Sequence, residues 1–249
     1  MPETFGKQQG DSWLRQKCGR ISGSGMGAAT SYLKNGNESA DRRNYRLELI
    51  AARLTGLTPN HFVTPAMQWG IEQEENAVLM YESLFGVMAE PCGFFVHPQH
   101  DFSGASPDRL IGSDGLLECK APETTTHLQW VIEGKVPEKY MPQLQWEMAC
   151  TGREWADFLS FDPRIQDDKL RFFYRRVDRD ETLIAKYTAE VIKLEAEINA
   201  FMQEHGCKPV APFPVEIVSE DGEIIEDTAD PSDFAGPAYD FLDRVEVRP

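Results

Sequence analysis

Residues 101–126, DFSGASPDRLIGSDGLLECKAPETTT, set an Asp, a Glu and a Lys on two short apolar runs joined by a turn. Ser113-Asp114-Gly115 is a turn signal between Arg109-Leu110-Ile111 and Leu116-Leu117-Glu118-Cys119, so the stretch predicts a β-hairpin. With Ser113 and Asp114 as the loop, Gly112 faces Gly115. Counting outward then puts Asp108 opposite Cys119, flanked by Glu118 and Lys120. A one-residue change of register keeps Asp108 near that pair. Side chains alternate along a strand, so Glu118 and Lys120 point to one face. Three charged groups converge.

Two carboxylates a few ångström apart repel unless a cation lies between them, and hard oxygen ligands suit Mg²⁺ or Mn²⁺ rather than zinc. Such an ion polarises a phosphodiester and lowers the pKa of a bound water. Lys120 is then placed to position or deprotonate that water, or to neutralise charge in the transition state. The competing reading is a surface hairpin with a cross-strand ion pair. Against it, the three charges sit directly beside Leu116, Leu117 and Cys119.

The order SPD, turn, LECK matches the D…ExK core of the PD-(D/E)XK nucleases. The wording SPDRLIGSDGLLECKAP is similar to the lambda-type exonucleases, the YqaJ-like viral recombinases. Further matches fall in order: Trp13 with Ile21-Ser22-Gly23-Ser24, Trp69-Gly70 with Glu74, and Tyr140-Met141-Pro142-Gln143. The resemblance spans residues 10–205.

It implies an α/β fold with a restriction-endonuclease-like core, a central mixed β-sheet flanked by helices. The implied activity is Mg²⁺-dependent (or Mn²⁺-dependent) 5′-to-3′ digestion of linear double-stranded DNA, leaving 3′ single strands for a single-strand annealing partner. The implied assembly is a homotrimeric ring around the DNA. By the same resemblance Asp108 and Glu118 bind metal, joined by Glu74 and the Cys119 carbonyl, while Lys120 handles the attacking water and Gln143 orients it. Lys17, Ser24 and Ser106 stand where the family grips the 5′-phosphate. Lys17 departs from the family's Arg, and a Lys lacks the planar fork of a guanidinium. Arg15 and Arg20 are the neighbouring substitutes.

Length and composition bound these expectations. A chain of 249 residues, 41% hydrophobic, suits one globular domain, residues 1–209, followed by a tail over 210–249 whose acidic, Pro-containing and sparsely apolar composition predicts weak order and flexibility. The five cysteines are scattered, with no C-x-x-C pair, which argues against zinc, iron–sulfur and disulfide frameworks. No basic-then-apolar leader and no long uncharged apolar run is present, which predicts a cytoplasmic protein without membrane contact. The net charge of −16 runs against a nucleic-acid partner, but −9 of it falls in residues 210–249. Binding to DNA must then rest on local basic clusters, metal and backbone amides. Two alternatives follow: a restriction-type endonuclease on the same core, or a non-enzymatic acidic protein that mimics DNA.

Along the chain, residues 1–10 read as unordered. Arg15, Lys17 and Arg20 precede a Gly/Ser turn at 22–27, which offers backbone N–H groups to a phosphate or simply starts a helix. Residues 42–54 read as an amphipathic helix with Arg42, Arg43 and Arg46 on a solvated face. Thr64-Pro65 starts a longer helix to Phe85. His97 and His100 fall in a loop and carry no assigned role. Helices follow at 125–133 and 137–149, strands at 155–161 and 170–177, and a helix at 180–205 with a Leu183, Tyr187, Val191, Leu194, Ile198 stripe.

Overall fold

The protein is described by a computed structural model over residues 4–5, 10–58 and 64–212. The described residues fall within one compact unit. The expectations of weak order in the tail from residue 213, and at residues 1–3 and 6–9, lie outside the described residues.

The elements are β1 Thr4–Phe5, α1 Asp11–Lys17, β2 Ile21–Ser22, a 3-10 turn Gly23–Gly25, α2 Met26–Ala29, α3 Ala40–Thr55 and α4 Pro65–Phe85. Then come β3 Ala89–Pro91, β4 Phe94–His97, β5 His100–Ala105, β6 Arg109–Ile111 and β7 Gly115–Lys120. The chain continues with α5 Thr124–Glu133, a 3-10 turn Glu138–Tyr140, α6 Met141–Thr151, β8 Trp155–Phe161, α7 Asp168–Arg171, β9 Phe172–Asp178 and α8 Glu181–Glu204. The helix ends follow their caps. Thr64 accepts from Met67 N with Pro65 in the first turn, Ser39 accepts from Arg42 N, and Asp180 accepts from Thr182 N and Leu183 N.

The mixed β-structure is split between two sheets, of order β1-β4-β5-β2 and β3-β6-β7-β8-β9. In them β2–β5 and β7–β8 are parallel and the other pairs antiparallel. One sheet was expected. The break falls at Ser106-Pro107-Asp108, between β5 and β6, where a proline without an N–H cannot continue a ladder. α5 and α6 make the crossover that two parallel strands require.

The five-stranded sheet buries both faces. On β7, Leu116 packs with Leu144, Met148 and Phe158 on the α6 side, while Leu117 and Cys119 pack with Ala77, Val78 and Tyr81 of α4 on the other. Glu118 and Lys120, in phase with Leu116, therefore share the α6 face, as alternation requires.

The hairpin forms with a three-residue loop, Gly112 to Asp114. Its register pairs Ile111 with Gly115 and Arg109 with Leu117. The expected Gly112–Gly115 pair is displaced by one residue, which carries Asp108 across from Glu118 rather than Cys119. Gly112 sits at φ 52°, a left-handed conformation outside a strand. Asp114 O accepts from Glu154 N (2.8 Å), and the Trp155 ring covers Gly115 so closely that a Cβ there would meet it at 2.1 Å. Contacts from the neighbouring strand fix the turn.

Several expected surface features are buried. Arg42 is 1% exposed and donates to Ala29 O, Glu38 and both oxygens of Glu197. His97 lies in β4, 7% exposed, stacked between Trp146 and His100 at 4.9 and 4.8 Å. Thr4–Phe5 pairs with β4 rather than lying free. Val210 N and Ala211 N both donate to Arg53 O, and Ala211 packs on Cys18 and Ala52. Among the described residues no helix is long and apolar enough to cross a membrane.

Candidate active site

Three parts of the chain meet at Glu118. β7 supplies Glu118 and Lys120, the end of the β5–β6 connection supplies Asp108, and α6 supplies Gln143 and Glu147, one turn apart on one face. Lys120 Nζ donates to Glu118 Oε1. Gln143 Nε2 donates to the same Glu118 oxygen (2.6 Å) and to Glu147 Oε1 (2.8 Å). Asp108 Oδ2 accepts from Cys119 N (2.7 Å). The structure thus brings together Asp108, Glu118, Lys120 and Gln143. It adds Glu147, to which no role was assigned although its spacing from Gln143 placed it on the right face.

Glu74, on α4, lines a hollow of about 480 Å³ with Met67, Gly70, Ile71 and Tyr140, and Asp108 and Lys120 of the cluster face into it. Glu74 Oε1 accepts from Arg109 (2.8 Å). Tyr140 lies beneath two ammonium groups, Lys120 at 5.3 Å and Lys139 at 4.9 Å from the ring centre.

Burial and crowding set the charge state. Burial raises the Asp108 carboxyl well above the usual range, with Glu118 and Glu74 adding to it and Lys120 opposing. Burial likewise raises Glu147, with Glu118 next. Burial alone would lower Lys120, but Glu118 and Asp108 together hold it above its ordinary value. The Cys119 thiol is pushed up by burial and by Asp108, so it stays neutral and is a poor ligand.

These residues fit a hard divalent cation. Glu118 Oε2 and Glu147 Oε2 are buried with no hydrogen-bond partner, so one oxygen of each carboxyl group is open to a cation near Asp108. Among the described residues no three or more His, Cys, Asp or Glu side chains are grouped closely enough to hold a metal ion as they stand.

The N-terminal basic cluster reaches the same neighbourhood unevenly. Gly23 backs onto the acid cluster, and a Cβ there would lie 3.6 Å from Glu147 Oε1. Lys17, Arg20, Ser22 and Ser24 line a second hollow of about 460 Å³ with Asn44 and Tyr45. Ser22 N donates to Tyr45 Oη (2.9 Å), and Ser22 and Ser24 hydroxyls pair at 3.2 Å. Lys17 Nζ rests over the Trp13 ring at 4.6 Å, and burial lowers its pKa. Trp13 Nε1 donates to Ser106 Oγ (2.9 Å), which itself donates to Gly93 O (3.0 Å).

Trp13 therefore joins Lys17 to Ser106, two residues from Asp108. Arg20 is 3% exposed, its guanidinium donating to Asp101 O and Gln16 O at 2.6 Å, and burial lowers its pKa to about 10. It holds α1 to β5. Arg15 does not line the hollow.

The sequence matches the model of the YqaJ-like viral recombinase domain over residues 12–154. Two crystal structures of LHK-Exo, an alkaline exonuclease from Laribacter hongkongensis, one in complex with dAMP, are similar to it. Each is 36% identical, with 79% of this chain and 98% of that chain covered and a TM-score of 0.71. A phage-related exonuclease from Haemophilus somnus shares the fold at 14% identity and a TM-score of 0.58, with 75% of this chain and 96% of that one covered. No curated protein matches the chain.

Proposed function

The chain belongs to the YqaJ-like viral recombinase family, and on that premise we propose that it is a divalent-metal-dependent exonuclease that digests linear double-stranded DNA from 5′ ends. The observation that carries the reading is the set of Asp108, Glu118, Glu147, Lys120 and Gln143 gathered around two buried carboxyl groups, those of Glu118 and Glu147, each with one oxygen lacking a hydrogen-bond partner. Asp108, Glu118 and Glu147, with Glu74 and the Cys119 carbonyl beside them, would hold Mg²⁺ or Mn²⁺. Such an ion, when bound, supplies Lewis-acid polarisation of the phosphodiester and lowers the pKa of water.

The chain's own groups do the rest. Lys120 keeps a positive charge where negative charge develops on the phosphoryl oxygens, and Gln143 fixes Glu118 and Glu147 through its single amide. Water adds to phosphorus and the 3′-oxygen of the terminal nucleotide leaves. Each turnover releases a nucleotide and regenerates a 5′-phosphate on the shortened strand. Lys17, Ser24 and Ser106 would grip that phosphate, with Arg20 shaping the pocket from behind and Arg15 on its approach. The remaining single strand would pass to an annealing protein. A homotrimeric ring would hold the DNA despite the net charge of −16. The setting would be the cytoplasm.

Comparing linear duplex bearing 5′-phosphate or 5′-hydroxyl ends with closed circular duplex, with and without Mg²⁺, tests the proposal. A charge-assisted contact to a terminal phosphate is worth about 1.5–3 kcal/mol, which predicts roughly ten- to a hundredfold slower digestion of hydroxyl ends and none of the circle. Cleavage of the circle would identify an endonuclease instead.

A further inference from the structure

The half of α4 that faces the hollow has little core beneath it. Ala66, Met67, Gly70, Ile71 and Glu74 line the cavity, whereas the fully buried residues of the helix, Ala77, Val78 and Tyr81, all lie in its second half. What holds the first half over the site is a guanidinium from the sheet. Arg109, the residue after Asp108, is 13% exposed at its side chain. Its Nη1 donates to Glu74 Oε1 (2.8 Å) and to Asp108 O (2.7 Å), and its Nη2 donates to Glu75 Oε2 (2.8 Å). One planar group thus spans a helix carboxylate pair and the backbone of the candidate catalytic aspartate. A second guanidinium, Arg164, lies over the Trp69 ring at 4.8 Å and contacts the same half-helix nearer its start.

We infer that Arg109 is a positioning residue that fixes the Glu74 carboxylate beside Asp108, so that the wall formed by α4 presents Glu74 to the divalent cation and the substrate phosphate. The inference rests on the proposed nuclease reading. The fork matters as much as the charge, because a Lys cannot bridge Glu74, Glu75 and Asp108 O at once. Arg109 acts through Glu74, so removing either should cost what removing both costs.

The test is a double-mutant cycle of Arg109→Gln, Glu74→Gln and the pair, with Arg109→Lys as the conservative variant. Mn²⁺ binding is read by calorimetry and kcat on linear duplex separately, after melting curves show each variant folded. Residues that orient a metal site from behind typically change affinity or rate by roughly 10- to 100-fold. We expect that loss in both single variants and in Arg109→Lys, with no further loss in the double variant. Additive losses, or wild-type Mn²⁺ affinity in Arg109→Lys, would overturn the assignment. If the wild type binds Mn²⁺ with the cycle intact yet leaves DNA uncut, the nuclease reading fails and the positioning role stands.

Discussion

Glu147 is almost fully buried, 1% exposed, with one carboxylate oxygen held by Gln143 and the other without a partner. A buried carboxylate beside Glu118 costs stability unless a proton or a cation neutralises it. Glu147→Gln keeps the shape and removes the charge. It should lower the rate on linear duplex by roughly 10- to 100-fold, as the loss of a group supporting a metal site typically does, while metal-free protein melts no lower than wild type. Rate assays beside melting curves in EDTA check both halves. A variant that melts much lower would make Glu147 a framework residue.

The legibility of the sequence also divides at single residues. Asp108, Glu118 and Lys120 could be read because their relations are local, a short hairpin and a two-residue repeat, whereas Gln143, 25 residues from Glu118, was reached only through the family resemblance. Glu147 was visible on the same helix face but carried no distinguishing signal of its own. The burial of Arg20 and Arg42 depends on Asp101 and Glu197, 81 and 155 residues away, so no local pattern announces it.

Among the elements, β4 and α6 meet through an aromatic stack in which His97 lies flat on Trp146, the residue before Glu147. Burial, then His100 and Arg179, lowers the His97 pKa to about 4. An unfolded His titrates near 6.5, so between those values the unfolded chain binds a proton that the folded chain does not. Stability is therefore full above pH 6.5 and falls as pH drops towards 4, by about 2–3 kcal/mol from this group. His97→Phe preserves the stack and removes the proton site. Its denaturation free energy should fall by that much less than wild type between pH 7 and pH 4. Parallel pH curves for the two proteins would show that His97 is not the cause.

The hairpin taught a related lesson at this scale. Its existence followed from the sequence, whereas its register depended on Glu154 N and Trp155 from a strand about 40 residues later. The division of the β-structure in two was signalled by Pro107, but only the pairing partners show that β5 and β6 end in different sheets.

For the whole molecule, the difficulty is that an acidic chain is assigned an anionic substrate. The described ion pairs ease it in part, because Glu38, Glu195 and Glu197 are locally neutralised by Arg42, Arg46 and Arg53 at buried and part-buried positions. The groups that face the two hollows include Lys17, Lys120 and the Gly/Ser turn. The central claim is that the Glu118 cluster removes nucleotides from 5′ ends with a divalent metal. It is tested most directly by linear duplex carrying a label at the 5′ or at the 3′ terminus of one strand, incubated with Mg²⁺ and either wild type or folded Glu118→Ala under single-turnover conditions. The account predicts that wild type releases the 5′ label first as a mononucleotide, that EDTA stops the reaction, and that Glu118→Ala releases neither label. Early release of the 3′ label, or wild-type digestion by Glu118→Ala, would contradict it.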